Sequence, residues 1–288
     1  MKTRLARAEL SKSLAPSLAL ALALSSQTPC PAHAEPPPPS PSPSPKGVLL
    51  ETLTWPQAEA RLTPEAVVVI PLGAAAKEHG PHLQLNNDFL MAEYLKRRVL
   101  FAADVVIAPT VSYSYYPAFV NYPGSTTVPL EAARDTVLSI CRTLAAHGPK
   151  RFYILNTGIS TLRPLKQAQD AAAAAGITLY YFSLATLGTL EKTLLKQPGG
   201  THADEGETSM MLYMAPEAVD MKKAVKDYHP RTGDGPFQRV QGLPGVYSKS
   251  GTWGDATLAT REKGQQLTEA AVRIILEEIE ALRKSPRP

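Results

Sequence analysis

The sequence predicts an α/β fold, a three-layer α/β/α sandwich in which helices cover both faces of a mostly parallel sheet. Two observations predict it. Short apolar runs, rich in β-branched and aromatic residues, alternate along the chain with longer segments of helical periodicity. Such alternation favours parallel pairing, because a strand that returns to the same end of a sheet needs a connecting helix on one face. The chain has 288 residues, which is long enough to bury a sizeable core.

The first half of the folded region is predicted to contain two strands and two helices. Residues 67–70 are four consecutive β-branched residues, which predicts a buried strand. Helical periodicity runs through residues 88–100, and the apolar run at 105–107, followed closely by a proline, predicts the next strand. Residues 130–147 again have apolar residues at helical spacing. These segments form two successive strand–helix units.

The second half continues the pattern and then changes. Residues 152–155 and 177–182 are apolar runs typical of strands, and the alanine-rich segment 164–175 between them predicts a helix. Loop-like signals then prevail, apart from a short helix predicted at 208–214. The chain closes on an amphipathic helix at 261–284. No second linker divides this region, so one domain is predicted over 47–288.

The N-terminus is typical of an exported protein. Residues 1–34 combine a basic segment, an apolar run at 14–24 and the small-x-small sequence at 32–34, which predicts a cleaved signal peptide. Residues 35–46 are rich in Pro and Ser and predict an extended linker. A transmembrane anchor is the alternative, but the apolar run is shorter than a spanning helix requires. The mature protein is therefore expected to be periplasmic or secreted, without a membrane anchor.

Charge and cysteine content exclude several kinds of partner and stabilisation. Most of the formal net charge of +4 belongs to the predicted signal peptide, which leaves a nearly neutral mature chain with no field to attract nucleic acid. The two cysteines are Cys30 and Cys141, and the first lies in the signal peptide. An intrachain disulfide is therefore not expected in the mature chain, and Cys141 is interpreted as a small buried apolar residue.

Imidazole and carboxylate side chains are concentrated in two segments. The segment after the first predicted strand contains His79 and His82, with Asp88 shortly beyond, and a later segment contains His202 and Glu207. Ligands in parallel α/β sheets gather at the carboxyl ends of the strands, and these residue types hold divalent metals and activate water. From the residues alone, Asp88 and Glu207 are equally well explained as charges at helix N-termini.

Four segments, in order along the chain, carry a family resemblance. They are Glu78-His79-Gly80-Pro81-His82-Leu83 with Asp88, Tyr122-Pro123-Gly124-Ser125, His202 to Ser209, and Trp253 to Thr260. Together they resemble the motifs of the creatininase (creatinine amidohydrolase) family, and the likeness covers nearly all of the folded region. The resemblance implies an α/β protein, often hexameric, that hydrolyses C–N bonds of amides with two divalent metals sharing an aspartate.

The resemblance also implies roles for individual residues. Asp88 resembles the bridging aspartate, His79 resembles a ligand of one metal, and Glu207 resembles the acidic residue that completes the site of that metal. His202 resembles the histidine that moves protons during hydrolysis, a task for which an imidazole is suited because its ordinary pKa lies near neutrality. An aromatic-rich loop at 113–122 either lines a small-molecule pocket or packs as an ordinary loop.

Two positions depart from the family pattern. Where the other metal takes a glutamate and a histidine, this chain has Lys77 and Gly158, which cannot serve as ligands. We therefore expect one ion rather than two, held by His79, Asp88 and Glu207, with the charge of Lys77 beside the lost site. In an alternative alignment Glu78 occupies the ligand position through a local bulge.

These observations predict a metal-dependent amidohydrolase that cleaves a non-peptide or small amide C–N bond by attack of metal-bound hydroxide. The ion is expected to be zinc, with manganese or iron as alternatives. His202 is predicted to carry the proton and Lys77 to stabilise the oxyanion. The partner is a small-molecule amide, and a homo-oligomer is implied by the resemblance. The alternative is a catalytically inactive relative that binds a small molecule or a partner.

Overall fold

Five parallel strands form the central sheet of the structure, a computed structural model that describes residues 44–286. The strands are β1 (Val48–Leu49), β2 (Val67–Leu72), β3 (Val106–Ile107), β4 (Arg151–Asn156) and β5 (Thr178–Tyr181). They lie in the order β1-β3-β2-β4-β5, and every neighbouring pair is parallel. The two longest strands, β2 and β4, are neighbours at the centre, and both are buried along their whole length.

Helices cover the two faces of this sheet. They are α1 (Trp55–Arg61), α2 (Asn87–Ala102), α3 (Leu130–Ala145), α4 (Leu162–Ala173), α5 (Gly188–Leu194), α6 (Glu205–Met214) and α7 (Arg261–Lys284). Helices α2, α6 and α7 share one apolar core with the sheet, whereas α3 and α4 share another. The structure therefore confirms the predicted α/β/α sandwich.

The side-chain alternation of β2 explains why there are two cores. Val67 and Val69 pack in the core that contains α2 and α7, while Val68 and Ile70 pack in the core that contains α3 and α4. A strand that is buried on both faces needs apolar residues at every position, which is why β2 appears as a continuous apolar run. Cys141 lies fully buried in α3, and burial raises the pKa of its thiol to about 12.

The segment beyond residue 214 contains more regular structure than its sequence indicates. Strand β6 (Lys226–Asp227) pairs with β10 (Gly254–Asp255), and β9 (Gly245–Tyr247) pairs with both β7 (Arg231–Thr232) and β8 (Phe237–Gln238). These strands have two or three residues each, too few to show an alternating pattern. The same shortness explains why α1 and α5, of seven residues each, were not predicted.

The sequence predictions for the N-terminus lie largely outside the described residues. The predicted signal peptide at 1–34 is entirely outside them, and only residues 44–46 of the predicted linker at 35–46 are described. Within residues 44–286, no helix has the length and apolar character of a membrane span.

Gly264 permits close packing between α6 and α7. A Cβ atom built on Gly264 would lie 1.7 Å from the carbonyl oxygen of Ser209, a backbone atom of α6. We expect Gly264→Ala to force the two helices apart and to lower the free energy of unfolding by about 1–3 kcal/mol or more. Urea denaturation measures this change. Gly188→Ala is the matched control, because a Cβ there meets no atom within 4 Å, and an unchanged stability in Gly264→Ala would contradict the packing argument.

Candidate active site

The predicted site residues converge at the carboxyl end of the sheet. The segment that follows β2 carries Lys77, Glu78 and His79, and it leads into the first turn of α2, which carries Asp88. His202 and Glu207 are supplied by the loop before α6 and by its first turn. Ion pairs and close contacts connect all six of the residues that the sequence predicted for the site.

His79 presents one ring nitrogen to two carboxylates. Its Nδ1 lies 2.8 Å from the carbonyl oxygen of Lys77, which can only accept, so Nδ1 carries a proton. Its Nε2 lies 2.8 Å from Asp88 Oδ1 and 3.5 Å from Glu207 Oε1. In the neutral ring this Nε2 carries a lone pair, which repels carboxylate oxygens unless a cation lies between them. The arrangement of His79 therefore requires a proton or a metal ion at Nε2.

The donor set at this position fits a divalent metal. One ligand atom each from His79, His202 and Glu207 lie within 4.8 Å of one another, and Asp88 lies beside His79. Two imidazoles with carboxylates are a common ligand set for catalytic zinc, and manganese also accepts carboxylate-rich sites. This group differs from the predicted ligand set of His79, Asp88 and Glu207, because it contains His202 and omits Asp88. Asp88 remains a candidate ligand through its 2.8 Å contact with His79 Nε2.

Backbone contacts fix the position of Glu207. Asp204 caps α6 by accepting a 3.0 Å hydrogen bond from the backbone N–H of Glu207. The Glu207 carboxylate accepts from Ala203 N at 2.7 Å and from Asn87 Nδ2 at 3.0 Å. Ala203 has a φ of +48°, a left-handed conformation that is strained for alanine and turns the chain between His202 and Asp204. This strained turn lies between His202 and Glu207, whose side chains the chain brings to the same side of the site.

Asn87 and Asp204 both contact Glu207, and neither was among the predicted site residues. Asp204 is separated from Glu207 by two residues, the spacing of a capping box, so the sequence did contain a signal for its role. Asn87 reaches Glu207 through a contact that spans 120 positions of sequence. A contact of that kind leaves no local pattern.

His82 connects the segment after β2 to α6. Its Nε2 lies 2.8 Å from the hydroxyl oxygen of Thr208, and the ring is almost fully buried. Burial disfavours the charged form and lowers the pKa of His82 to about 4, so the ring is neutral at neutral pH. This contact connects the two segments that carry the candidate ligands.

Lys77 forms a buried ion pair with Asp88. The ammonium Nζ lies 2.7 Å from Asp88 Oδ2, and the two side chains are 7% and 1% exposed. Burial by itself raises the pKa of Asp88, but the charges of Lys77 and His79 outweigh it, and the pKa falls well below its usual range. The two oxygens of Asp88 thus contact different cationic or metal-binding groups, with Lys77 on one side and His79 on the other.

Aromatic rings surround the ammonium of Lys77. Its Nζ lies 5.0 Å from the ring centroid of Phe119 and 5.9 Å from that of Tyr116, which is within the range of cation–π attraction. A Cβ atom built on Gly158 would lie 3.8 Å from Tyr116 Cε1 and 3.0 Å from Thr161 Oγ1. Tyr116 therefore lies beside Gly158, the position to which the resemblance assigns a histidine ligand, and part of the aromatic-rich loop lines the site.

His202 pairs with Glu78, and both side chains are buried. Its Nε2 lies 2.9 Å from the carbonyl oxygen of Glu78 and 3.0 Å from Glu78 Oε2, while its Nδ1 lies 3.9 Å from Glu207 Oε2. Burial by itself raises the pKa of Glu78, but His202 and the N–H of Gly80 outweigh burial and lower it. The Glu78 carboxylate lies outside the group of ligand atoms formed by His79, His202 and Glu207.

A cavity of about 310 Å³ opens beside these residues. Lys77, His202 and Glu207 lie in its wall, together with apolar side chains such as Phe119. The wall also contains Glu191 and Asp204, and within residues 44–286 neither of these forms an ion pair. Burial raises the pKa of Glu191, and the nearby charge of Asp204 raises it further. The cavity is large enough for a small molecule and brings it against the candidate ligands.

Comparisons with known proteins match most of the chain. A family model described as "Creatininase: Creatinine amidohydrolase" matches residues 51–279. The creatinine amidohydrolase of Pseudomonas putida is 28% identical over 254 residues, which are 81% of this chain and 96% of that protein. The 3-dehydro-scyllo-inosose hydrolase of Thermotoga maritima is 26% identical over 261 residues, which are 78% of this chain and 80% of that protein.

The fold of a solved relative agrees as well. The structure described as "Creatininase Mn" superposes with a TM-score of 0.68 at 26% identity, and the match covers 83% of this chain and all of that one. The matched family is described as creatinine amidohydrolase, and both of these curated relatives are hydrolases by name. The family model spans most of the sequence, and the ordered motifs on which the resemblance rests converge in one site. This chain belongs to the creatininase family.

Proposed function

We propose that the protein is a metal-dependent amidohydrolase that cleaves a non-peptide or small amide C–N bond. The observation that carries the proposal is the position of His79 Nε2, buried and 2.8 Å and 3.5 Å from the carboxylate oxygens of Asp88 and Glu207. Two carboxylates that face one buried imidazole nitrogen are the arrangement that a divalent ion would stabilise. The neighbouring cavity has the volume for a small amide.

The chain is proposed to hold one ion, with His79, Asp88 and Glu207 as its ligands. Zinc fits the mixed nitrogen and oxygen donors, and manganese is the alternative. Lys77 supports a count of one, because its ammonium lies at Asp88 Oδ2 and a second ion there would meet a positive charge 2.7 Å from its bridging ligand. Gly158 supplies no side chain to such an ion.

The residues around the ion have separable tasks. A bound divalent ion lowers the pKa of water and polarises a carbonyl group. Lys77 projects a fixed positive charge into the cavity wall, where it stabilises negative charge that develops on the amide oxygen. His202 carries its proton on Nε2, toward Glu78, so Nδ1 is the atom that accepts a proton and passes it to the leaving nitrogen. Phe119 covers one face of the His202 ring at 4.2 Å and excludes water from it.

The metal content of the purified protein tests the proposal. We expect about one tightly held zinc or manganese ion per chain by elemental mass spectrometry, and loss of that ion in His79→Ala and in Glu207→Ala. Glu217→Ala is the control, because this carboxylate is exposed and lies on the short helix after α6. Retention of the ion in both site variants, or no retained ion in the wild type, would exclude the proposed centre.

A second candidate function is binding without catalysis. It is favoured by one observation, the replacement of two family ligand positions by Lys77 and Gly158. Turnover distinguishes the two candidates, and a panel of creatinine, N-formyl amino acids and simple anilides, assayed with zinc and with manganese, covers the main kinds of amide bond. Hydrolysis of any of these compounds supports the enzyme, and a slower rate in Lys77→Ala supports the role of Lys77. Binding of a compound without its hydrolysis supports the function of binding without catalysis.

We further propose that the protein is exported and forms a homo-oligomer. Support for export comes from the sequence of residues 1–34, and support for an oligomer comes from the family resemblance. Mass spectrometry of the mature chain is expected to place its first residue at Glu35. Analytical ultracentrifugation is expected to give a mass that is a multiple of the chain mass.

A further inference from the structure

Glu78 contacts His202, and this contact is not among the roles that the family resemblance implies. His202 Nε2 lies 2.9 Å from the Glu78 carbonyl oxygen and 3.0 Å from Glu78 Oε2, and a carbonyl oxygen can only accept. The proton of this imidazole is therefore on Nε2, shared between two acceptors of one residue. In the neutral ring the lone pair is then on Nδ1.

The remaining contacts of Glu78 fix its carboxylate independently of any metal. Its backbone N–H donates to Ser125 Oγ at 2.9 Å, and its Oε1 accepts a short hydrogen bond from the N–H of Gly80. Gly251 leaves space for this oxygen, because a Cβ built there would lie 1.9 Å from Glu78 Oε1. Gly251 also has a φ of +88°, a conformation that favours glycine. The side chain of Glu78 is only 8% exposed.

The lone pair of His202 faces the reacting side of the site as a result. Nδ1 lies 3.9 Å from Glu207 Oε2, and His202 contributes an atom to the group of potential ligand atoms formed with His79 and Glu207. A histidine whose ring could turn over would present either nitrogen to the cavity. Glu78 binds one nitrogen and thereby selects the other.

We propose that Glu78 is the positioning residue of His202. It holds the ring in the orientation and tautomer in which Nδ1 exchanges a proton with the substrate. This inference rests on the proposed function for the identity of the proton transfer, but the orientation of the ring is independent of it. It also assigns Glu78 differently from the alternative alignment, in which this residue is a metal ligand, since both carboxylate oxygens are already engaged by His202 and Gly80.

Nuclear magnetic resonance on the metal-free, full-length chain tests the orientation. With ¹⁵N-labelled histidine, His202 is assigned by its loss in His202→Ala, and its proton is expected on Nε2. The solvent exchange of this proton is expected to be about tenfold faster or more in Glu78→Ala, because one hydrogen bond to a charged acceptor is lost. Glu78→Gln, whose amide oxygen still accepts, is expected to restore slow exchange, and Glu217→Ala is the control. A proton on Nδ1, or unchanged exchange in Glu78→Ala, overturns the inference.

Kinetics and metal content provide a second readout on the same variants. On any amide of the panel that the wild type hydrolyses, Glu78→Ala is expected to lower kcat by about 10- to 100-fold with little change in KM and no loss of metal. Glu78→Gln is expected to recover part of kcat. Loss of the ion in Glu78→Ala would show that Glu78 is a ligand and overturn the inference. If the wild type holds no metal and hydrolyses nothing, the proposed function fails, while the exchange experiment still decides the role of Glu78.

Discussion

Replacing Lys77 by methionine is expected to lower the free energy of unfolding of the metal-free protein by about 3–5 kcal/mol. The cause is the partner that remains. Asp88 is 1% exposed, and without the ammonium 2.7 Å away its charge is left in the core with His79 as its only nearby counterpart among the described residues. Methionine keeps much of the volume of the lysine stem, so packing loss contributes little. Urea denaturation of chelator-treated protein measures the difference.

The matched control for this experiment is Lys166→Met. Lys166 and Asp170 form a pair of the same chemical type at 2.5 Å on the surface of α4, with side chains that are 59% and 64% exposed. Water replaces the lost partner there, so we expect little change in stability. If Lys77→Met destabilises the protein no more than Lys166→Met, Asp88 does not depend on the ammonium. Added zinc is expected to restore part of the lost stability in Lys77→Met, because an ion that binds only the folded state stabilises it.

The double variant Lys77→Glu with Gly158→His is expected to raise the metal content from about one ion per chain to about two. The two substitutions restore the side chains that the family resemblance assigns to the second ion, next to Asp88, which the resemblance assigns as the shared ligand. The first atom of the new side chain is in tight contact, since a Cβ on Gly158 would lie 3.0 Å from Thr161 Oγ1 and 3.8 Å from Tyr116 Cε1. A shift of a few tenths of an ångström in Thr161 accommodates it.

Elemental mass spectrometry on the double and the two single variants decides this prediction. Gly158→His alone is expected to keep one ion, because Lys77 still repels a second cation. Lys77→Glu alone is expected to be the least stable in the absence of metal, because it brings two carboxylates together in the core. One ion in a folded double variant would mean that other features of the site exclude the second metal.

Most of the central sheet and its main helices could be predicted from the sequence. Strands β2 and β4 are long and buried on both faces, so each appears as an unbroken apolar run, and α7 is a long amphipathic helix. Strand β1 has only two residues, and it is a strand because its backbone pairs with β3, more than fifty positions away along the chain. Pairing of that kind depends on the tertiary fold, not on local preference.

The site could be predicted to the level of its residue types but not of its contacts. His79, Asp88, His202 and Glu207 were identified through their motifs, which are sequence patterns. The direction of the Glu78 side chain depends on the space beside Gly251, a residue 173 positions later, and on a backbone turn that no local spacing encodes. For that reason the sequence left Glu78 as a potential metal ligand, while the structure points its carboxylate at His202.

The pairing of Asp88 with Lys77 has a consequence for the order in which the protein matures. A metal ion must be supplied from outside, whereas an ammonium on the chain is present from the moment of synthesis. Asp88 is therefore neutralised as soon as the core closes, whether or not an ion is available. We therefore expect the protein to fold before an ion binds and to stay folded when a chelator removes the ion. The ammonium of Lys77 takes the place of a second metal ion, and its presence does not depend on the metal supply of the surroundings.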